Sequence, residues 1–275
     1  MKSERSVIRS SAPSAIATTA GRAQARSKRC RMHRPCCGPD LEFCGPKHDH
    51  SRMLLVRAFA GLIFLFATIA VVLFGSAGTL HFGRAWMTLA VFFGCAAAIT
   101  VWLWFHDKAL LERRVKAGPG SEPDPIQGVV QALAGLVFLA TFAVPGLDMR
   151  FGWSHVSLAV SLAGAGMIAI GFLIVFLTFR ENTFTAGTIE IAEGQQVIVT
   201  GPYAIVRHPM YSGALVMVAG IPLALGSWFG LLPVALLVPV LVWRLMREEA
   251  LLLAHLAGYD EYCDRVGYRL VPMFW

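Results

Sequence analysis

Histidine, arginine and paired carboxylates are concentrated in two short segments of an otherwise apolar C-terminal third. The first segment, residues 201–213, reads GPYAIVRHPMYSG and centres on Arg207 and His208, and the second is Arg247-Glu248-Glu249. Ionisable groups at the edge of a membrane are expensive to keep there and usually have a function. These residue types can transfer protons or bind an anionic group, so they predict a polar binding site.

The spacing of the two segments predicts that they meet. His208 and Glu248 are equally distant in sequence from Trp228, which lies in the predicted turn of a helical hairpin. At about 1.5 Å per residue, the chain ascends and descends the same height. Pro209 favours a helix start, where free backbone amides attract anions. The alternative is that these residues are interfacial anchors and a solvated helix start, but their symmetric placement favours a site.

The elements that must position this site are apolar helices. The chain is 56% hydrophobic and 15% charged, which excludes an ordinary soluble protein. Four apolar runs approach the roughly 20 residues that a membrane-spanning helix needs, and two shorter runs flank the turn at Trp228. We therefore predict an all-α integral membrane protein with about six transmembrane helices and a C-terminal helical hairpin. The runs are residues 53–75, 85–105, 128–147, 155–179, 210–226 and 229–243.

The sequence divides into three regions. Residues 1–52 carry eleven Lys and Arg against four Asp and Glu, and they predict a basic, disordered tail. Residues 53–181 hold the four long runs, and residues 182–275 form a region with a cofactor loop, the hairpin and a C-terminal segment. The tail favours contact with anionic membrane lipids rather than nucleic acid, because no folded basic module accompanies it. Its cysteines lack regular ligand spacing, so no metal site is predicted; they are Cys30, Cys36, Cys37 and Cys44.

The charges that flank the runs predict an orientation. Lys and Arg collect in the tail, in the loop at residues 107–127, after residue 180 and at the C-terminus, so both termini are expected in the cytoplasm of a bacterial inner membrane. Residues 108–116 predict an amphipathic helix at the interface rather than a catalytic element. Between residues 183 and 200 the apolar residues alternate, which predicts a short extended hairpin or ordered loop turning near Glu193-Gly194.

Several motifs in the C-terminal third resemble the isoprenylcysteine carboxyl methyltransferases and the related phospholipid N-methyltransferases. The resemblance spans roughly residues 182–272. It implies a methyltransferase that uses S-adenosylmethionine and is built from membrane helices, in agreement with the missing G-x-G-x-x-G fingerprint. The matching motifs are Asn182-Thr183-Phe184-Thr185, Gly201-Pro202-Tyr203, Arg207-His208-Pro209-x-Tyr211-x-Gly213, Glu248-Glu249, Gly258-x-x-x-Tyr262 and Arg269-Leu270-x-Pro272.

The resemblance also implies roles for single residues. Cofactor binding is implied for Tyr203, His208, Pro209, Tyr211, Glu248 and Glu249. Arg207 and Arg247, with Arg180 and Arg244 behind them, are the candidates for orienting an acceptor carboxylate, because guanidinium binds carboxylate through two parallel hydrogen bonds.

The acceptor is expected to be a lipophilic small molecule or a lipid-modified substrate, foremost an isoprenylcysteine-like carboxylate. A phospholipid or other amine is the alternative, and it would need a base such as His208 or a glutamate to remove a proton. An NADPH-dependent membrane reductase is an alternative of another class, because sterol reductases have a distantly similar C-terminal half. A non-catalytic scaffold is the remaining alternative, and the oligomeric state is left open.

Overall fold

The computed structural model describes residues 47–116, 125–185 and 194–275, with side chains from residue 51 onward. Within these ranges the chain forms α-helices, one short 3-10 turn at Gly201–Ala204 and connecting segments, without a strand. This confirms the predicted all-α class. The helices are α1 (Lys47–Ala77), α2 (Gly83–His106), α3 (Lys108–Lys116), α4 (Pro125–Phe151), α5 (Leu158–Glu181), α6 (Pro209–Leu225), α7 (Leu231–His255) and α8 (Tyr259–Arg265).

Four of these helices are long and apolar enough to cross a membrane. They are Ser51–Ala77 within α1, and the whole of α2, α4 and α5. Each coincides with one of the four long apolar runs, except that α5 begins at Leu158, three residues after the start of its run, so the prediction of a multi-pass membrane protein is confirmed. Helix α1 begins at Lys47, so its first residues belong to the stretch predicted as tail. The cysteines of the tail lie outside the described residues.

Helices α6 and α7 form the predicted C-terminal hairpin. Gly226 ends α6 in the left-handed conformation, with φ of 84°, and a short turn leads into α7. Helix α6 is shorter than the four spans, at 17 residues. Helix α7 continues past the predicted end at Trp243 to His255, so Glu248 lies on the same continuous helix as the apolar residues of the hairpin. That α6 and α7 cross the membrane stays a prediction.

Helices α5 and α6 pack backbone against backbone through two pairs of glycines. A Cβ atom added to Gly171 would lie 2.6 Å from the carbonyl oxygen of Gly213, and one added to Gly213 would lie 2.8 Å from that of Gly171. Gly164 and Gly220 have the same reciprocal contact, at 2.8 and 2.6 Å. Small residues let apolar helices approach this closely in membranes. The two pairs therefore fix the height of α6 against α5.

Asp148 holds the turn between α6 and α7, at the end of α6 that is remote from His208. This buried carboxylate of α4 accepts hydrogen bonds from the backbone N–H and the hydroxyl of Ser154, at 2.7 and 2.6 Å, and from the hydroxyl of Ser227. A buried carboxylate is tolerated because its oxygens are hydrogen-bonded. The turn is thereby attached to α4, which limits how far α6 and α7 can slide along the other helices.

Helix α3 occupies the residues predicted as an amphipathic helix. It buries Leu110 and Leu111 in a cluster with Leu54, Leu103 and Phe179, so it packs on α1, α2 and α5. The predicted turn at Glu193 and the preceding residues 186–193 lie outside the described residues. Gly194 has φ of 73°, and residues 195–199 have no regular secondary structure.

Candidate active site

A partly open cleft lies beside the start of α6, and the space in it that can hold the centre of a water molecule is about 80 Å³. Its walls come from residues 182–185 after α5, residues 195–198, the turn at Tyr203, residues 207–211, the C-terminal half of α7 and helix α8. The cleft brings His208 and Glu248 together, so the geometry predicted from the hairpin is confirmed.

The backbone at Arg207 and His208, directly before α6, is held by the last residues of the chain. We call residues 266–275 the C-terminal strap. The backbone N–H of Arg207 donates to the carbonyl of Tyr268 at 2.9 Å, and that of His208 donates to the carbonyl of Arg269 at 3.0 Å. The hydroxyl of Ser212, one turn into α6, donates to the carbonyl of Leu270 at 2.6 Å. His208 is the N-cap of α6 and Pro209 is its first residue, as predicted. The strap therefore fixes the backbone on which His208 stands.

A buried ion triad joins the strap to α7. The carboxylate of Glu249 lies 2.8 Å from Nη2 of Arg207 and 2.6 Å from Nε of Arg269. Glu249 is 3% exposed and does not line the cleft. Both of its oxygens are paired with arginines, so its contacts are those of a counter-ion. Its cofactor role stays a prediction.

The two arginines proposed to orient a carboxylate occupy different environments. Arg207 lines the cleft, but its guanidinium is paired with Glu249 and also donates to the carbonyl of Val266 at 3.1 Å. The side chain of Arg247 is exposed and lies outside the cleft lining among the described residues. The catalytic roles of both arginines therefore stay predictions that the geometry does not favour.

Glu248 places a carboxylate in the wall of the cleft. The hydroxyl of Tyr211 donates to Oε2 of Glu248 at 2.7 Å, and both residues line the cleft. Consecutive residues on a helix point about 100° apart, so Glu248 faces the cleft while Glu249 faces the strap. This contact joins α6 to α7 in the neighbourhood where the symmetric spacing predicted that His208 and Glu248 meet.

His208 is buried and uncharged at neutral pH. Desolvation, together with the positive charges of Arg207 and Arg269, lowers its pKa to about 3. A neutral imidazole offers one N–H donor and one acceptor nitrogen. Among the described residues, its Nε2 atom has no hydrogen-bond partner. The hydroxyl of Tyr259, which also lines the cleft, has none either.

Unpaired buried polar atoms are uncommon in folded proteins. Among the described residues, three of them belong to residues that line this cleft, namely Nε of Arg207, Nε2 of His208 and the hydroxyl of Tyr259, so the cleft is the candidate ligand site. Tyr259 was not among the residues predicted to form the site. Its signal in the sequence is its position directly after the motif residue Gly258, which has φ of 80° and is the N-cap of α8.

A network of aromatic and amide groups supports the opposite wall. Nδ2 of Asn182 donates to the hydroxyl of Tyr203 at 3.0 Å, and the hydroxyl of Tyr262 donates to the carbonyl of Tyr203 at 2.7 Å. Burial raises the pKa of both tyrosines, so their phenols remain protonated. The motif resemblance contained Asn182 and Tyr262 without giving them roles, and here they position Tyr203.

The helices that build the cleft also carry a family match. Residues 160–257 match the family model described as phospholipid methyltransferase. This stretch runs from the start of α5 through α6 and ends just after α7, so it includes the paired glycines, His208 and Glu248. The region is therefore similar to membrane methyltransferases. Phospholipid methyltransferases are the related family that the predicted resemblance included. Membership of the isoprenylcysteine carboxyl methyltransferase family stays a prediction.

A second similarity is to a reductase. The chain is 37% identical over 103 residues to the Delta(14)-sterol reductase TM7SF2 of Mus musculus, which covers 34% of this chain. The match spans a quarter of the length of that reductase, 25%. The chain is thus similar in part to a reductase as well as to phospholipid methyltransferases, and a membrane reductase was the alternative that the sequence predicted.

Proposed function

We propose that the protein transfers a methyl group from S-adenosylmethionine to a lipophilic acceptor at the edge of the membrane. The observation that carries the proposal is the cleft at His208, where three buried polar atoms lack a partner among the described residues and most of the wall lies in the stretch that matches a membrane methyltransferase family. The polar cleft adjoins helices that suit a membrane, so a water-soluble cofactor and a lipid can both reach it.

The residues of the cleft fit this cofactor. Glu248 can bind its ammonium group or ribose hydroxyls, and the start of α6 favours its carboxylate through the helix dipole. Tyr203, Tyr211 and Tyr259 offer aromatic faces to its adenine and to its cationic sulfonium. His208 and Tyr259 would regain hydrogen-bond partners, which removes the cost of leaving them unpaired. When bound, the cofactor supplies an electrophilic methyl group.

The charges of the cleft favour an amine acceptor over a carboxylate. A carboxylate acceptor needs a cation to orient it, whereas the charge of Arg207 is already paired with Glu249. An ammonium must lose a proton before its nitrogen can attack, and Glu248 is the carboxylate in the cleft wall that can hold this proton. His208 is a weak base because its pKa is lowered to about 3. We therefore place a lipid amine first and an isoprenylcysteine-like carboxylate second.

Glu248 and the walls of the cleft have separable tasks in this proposal. Glu248 would accept a proton from the acceptor ammonium, and the nitrogen would then take the methyl group that the bound cofactor would supply as it leaves as a thioether. The walls align the two reactants and exclude water, which supplies most of the acceleration in a displacement of this kind.

Reduction of a lipid by NADPH is the second candidate, and the similarity to the mouse sterol reductase favours it. Equilibrium binding of S-adenosylmethionine and NADPH to the purified protein in neutral detergent separates the two. We expect binding of S-adenosylmethionine alone. Binding of NADPH alone would overturn the proposal.

Variants of the cleft residues test whether the cofactor binds in the cleft. His208→Ala and Glu248→Gln should each weaken binding of S-adenosylmethionine about tenfold, which is the loss of about one hydrogen bond to a charged group. His255→Ala is the matched control, because His255 is exposed at the end of α7 and does not line the cleft. Unchanged binding in both cleft variants would contradict the location.

The acceptor is identified by incubating membranes with the methyl-labelled cofactor. A label that is stable to base indicates a methylated amine, whereas a label released by base indicates a methyl ester. The second outcome would reverse our ranking of the two acceptors while leaving the methyltransferase proposal intact.

A further inference from the structure

The C-terminal strap ends in a turn that presents large apolar side chains to its surroundings. Met273 is 88% exposed and Phe274 is 87% exposed, and Val271 beside them is exposed as well. Contact of such side chains with water is unfavourable, and adjoining exposed apolar residues mark a surface for a partner or a membrane. Met273 also has φ of 65°, the one positive value outside glycine among the described residues. This conformation favours glycine or asparagine, so the outlier points to a function of the methionine side chain.

The strap contacts α6 at a level deep inside the length of α5. The two glycine pairs are seven residues apart on both helices, so α6 runs antiparallel to α5 with matching heights, and Gly213 is level with Gly171. Gly171 is ten residues, about 15 Å, from the end of α5 at Glu181. The hydroxyl of Ser212, next to Gly213, donates to the carbonyl of Leu270 at 2.6 Å. Because the hydrocarbon core is about 30 Å thick, Leu270 lies near the middle of a helix that suits a membrane span.

Hydrophobic contacts attach the strap to the hairpin at this level. Leu270 forms a buried cluster with Tyr211 of α6 and Leu245 of α7. Trp275 packs against this cluster, and so does Leu241, which lies one helical turn closer to the hairpin turn than Leu245. The end of the strap is thus anchored on apolar residues of both hairpin helices.

The backbone of the turn pairs many of its own polar groups. The main-chain oxygen of Trp275 accepts hydrogen bonds from the N–H groups of Leu270 and Val271, at 2.9 and 3.0 Å. The carbonyl of Val271 accepts from the N–H groups of Phe274 and Trp275, both at 3.1 Å. Pro272 has no N–H group. Internal pairing suits a segment in lipid, because hydrocarbon offers the backbone no hydrogen bonds. The turn closes on Leu270, so its tip stays near that level.

We propose that the tip of the strap is embedded among the acyl chains of the bilayer, with Met273 and Phe274 in contact with lipid. The carbonyls of the strap hold the backbone of Arg207 and His208. Lipid contact at the tip therefore stabilises the strap in the position that completes the wall of the cleft. This role requires neither cofactor nor acceptor, so it is independent of the reaction at the cleft.

Photocrosslinking locates the tip. The probe p-benzoylphenylalanine replaces Phe274 in the full chain, which is reconstituted into dioleoylphosphatidylcholine vesicles and irradiated. We expect mass spectrometry to find lipid attached through an acyl chain. The same probe in place of Leu236, exposed on the apolar part of α7, should give the same adducts. In place of Asp260, exposed on the polar helix α8 beyond the end of α7, it should give none.

Three results of this experiment would overturn the inference. They are as little lipid adduct at position 274 as at position 260, adducts on the choline headgroup, and a crosslink to a second copy of the chain. The last would mean that the tip is a protein interface.

Hydrogen exchange in the same vesicles measures the effect on the cleft wall. Phe274→Ser and Met273→Asn each remove apolar contact with lipid, and asparagine tolerates the positive φ. Neither change leaves a cavity, because both side chains touch little of the protein. Burial of one such side chain shifts an equilibrium about tenfold or more, so the amides of Arg207 and His208 should exchange about tenfold faster in each variant.

Asp260→Ser is the matched control and should exchange at the wild-type rate. Wild-type exchange in both tip variants would overturn the role of lipid in holding the wall. Neither experiment contains S-adenosylmethionine, so failure to bind that cofactor would refute the proposed function and leave the lipid contact of the strap standing.

Discussion

Replacing Glu249 with glutamine removes the negative charge from the ion triad and keeps the shape of the side chain. The change leaves Arg207 and Arg269 facing each other across an amide, and the side chain of Arg207 is 7% exposed. Removing one partner of a buried ion pair costs about 3–5 kcal/mol. The pair with Arg269 adds little to this figure, because that side chain is 30% exposed and water screens it.

The loss should appear as a lower melting temperature. One kcal/mol corresponds to about 2–4 °C for chains near this size, so Glu249→Gln should melt about 6–20 °C below the wild type. The assay is thermal unfolding in neutral detergent, followed by size-exclusion chromatography of the fraction that remains folded. Glu261→Gln is the control, since Glu261 is exposed on α8 and a surface change of this kind stays within about 0.5 kcal/mol.

Binding of S-adenosylmethionine to the same variant decides between two roles for Glu249. If the residue is a counter-ion, the variant protein that remains folded at low temperature should bind the cofactor within a few-fold of the wild type. An unchanged melting temperature combined with lost cofactor binding would refute our account of the triad. Glu249 would then be the cofactor ligand that the motif resemblance implied.

Three further predictions concern stability. The pKa of His208 is lowered from 6.5 to about 3, so its contribution to the free energy of unfolding is complete above pH 6.5 and is lost as the pH falls toward 3. Between pH 7 and 5, the free energy of unfolding of the wild type should fall by about 2 kcal/mol more than that of His208→Asn, as measured by denaturant titration. Gly171→Ala should cost about 1–3 kcal/mol through overpacking, whereas Gly166→Ala on the same helix has open space and should be neutral in thermal unfolding. Asp148→Asn should cost about 1–3 kcal/mol in the same assay, because the hydroxyls of Ser154 and Ser227 donate to the same carboxylate oxygen and both lose that acceptor. An unchanged melting temperature would mean that the hairpin turn is held by other contacts.

The sequence predicted the membrane helices and the meeting of His208 with Glu248. Both depend on local properties, since apolarity and length define a span and equal distances from a turn define equal heights on a hairpin. The sequence did not predict that Glu248 and Glu249 lie in different environments. Adjacent residues on a helix face different neighbours, and the neighbour of Glu249 is the strap, which comes about twenty residues later in the chain.

The glycine pairs and Arg114 illustrate the same limit. Gly164 and Gly171 are seven residues apart, as are Gly213 and Gly220, and this spacing was a usable signal for two helices in close contact. Which glycine meets which depends on the register between the helices, and a single sequence does not contain that register. Arg114 looked like one of several cations on an interfacial helix until the packing of α3 placed it beside Met210.

The C-terminal strap gives the site a particular place in the order of biosynthesis. Because the backbone of Arg207 and His208 is hydrogen-bonded to residues 268 and 269, the wall of the cleft cannot be completed while those residues are still inside the ribosome. The four long helices can insert and pack well before that moment. A chain cut short at residue 265 would keep the long apolar helices and lose the backbone partners of Arg207 and His208, so we expect such a product to enter the membrane with an incomplete cleft wall.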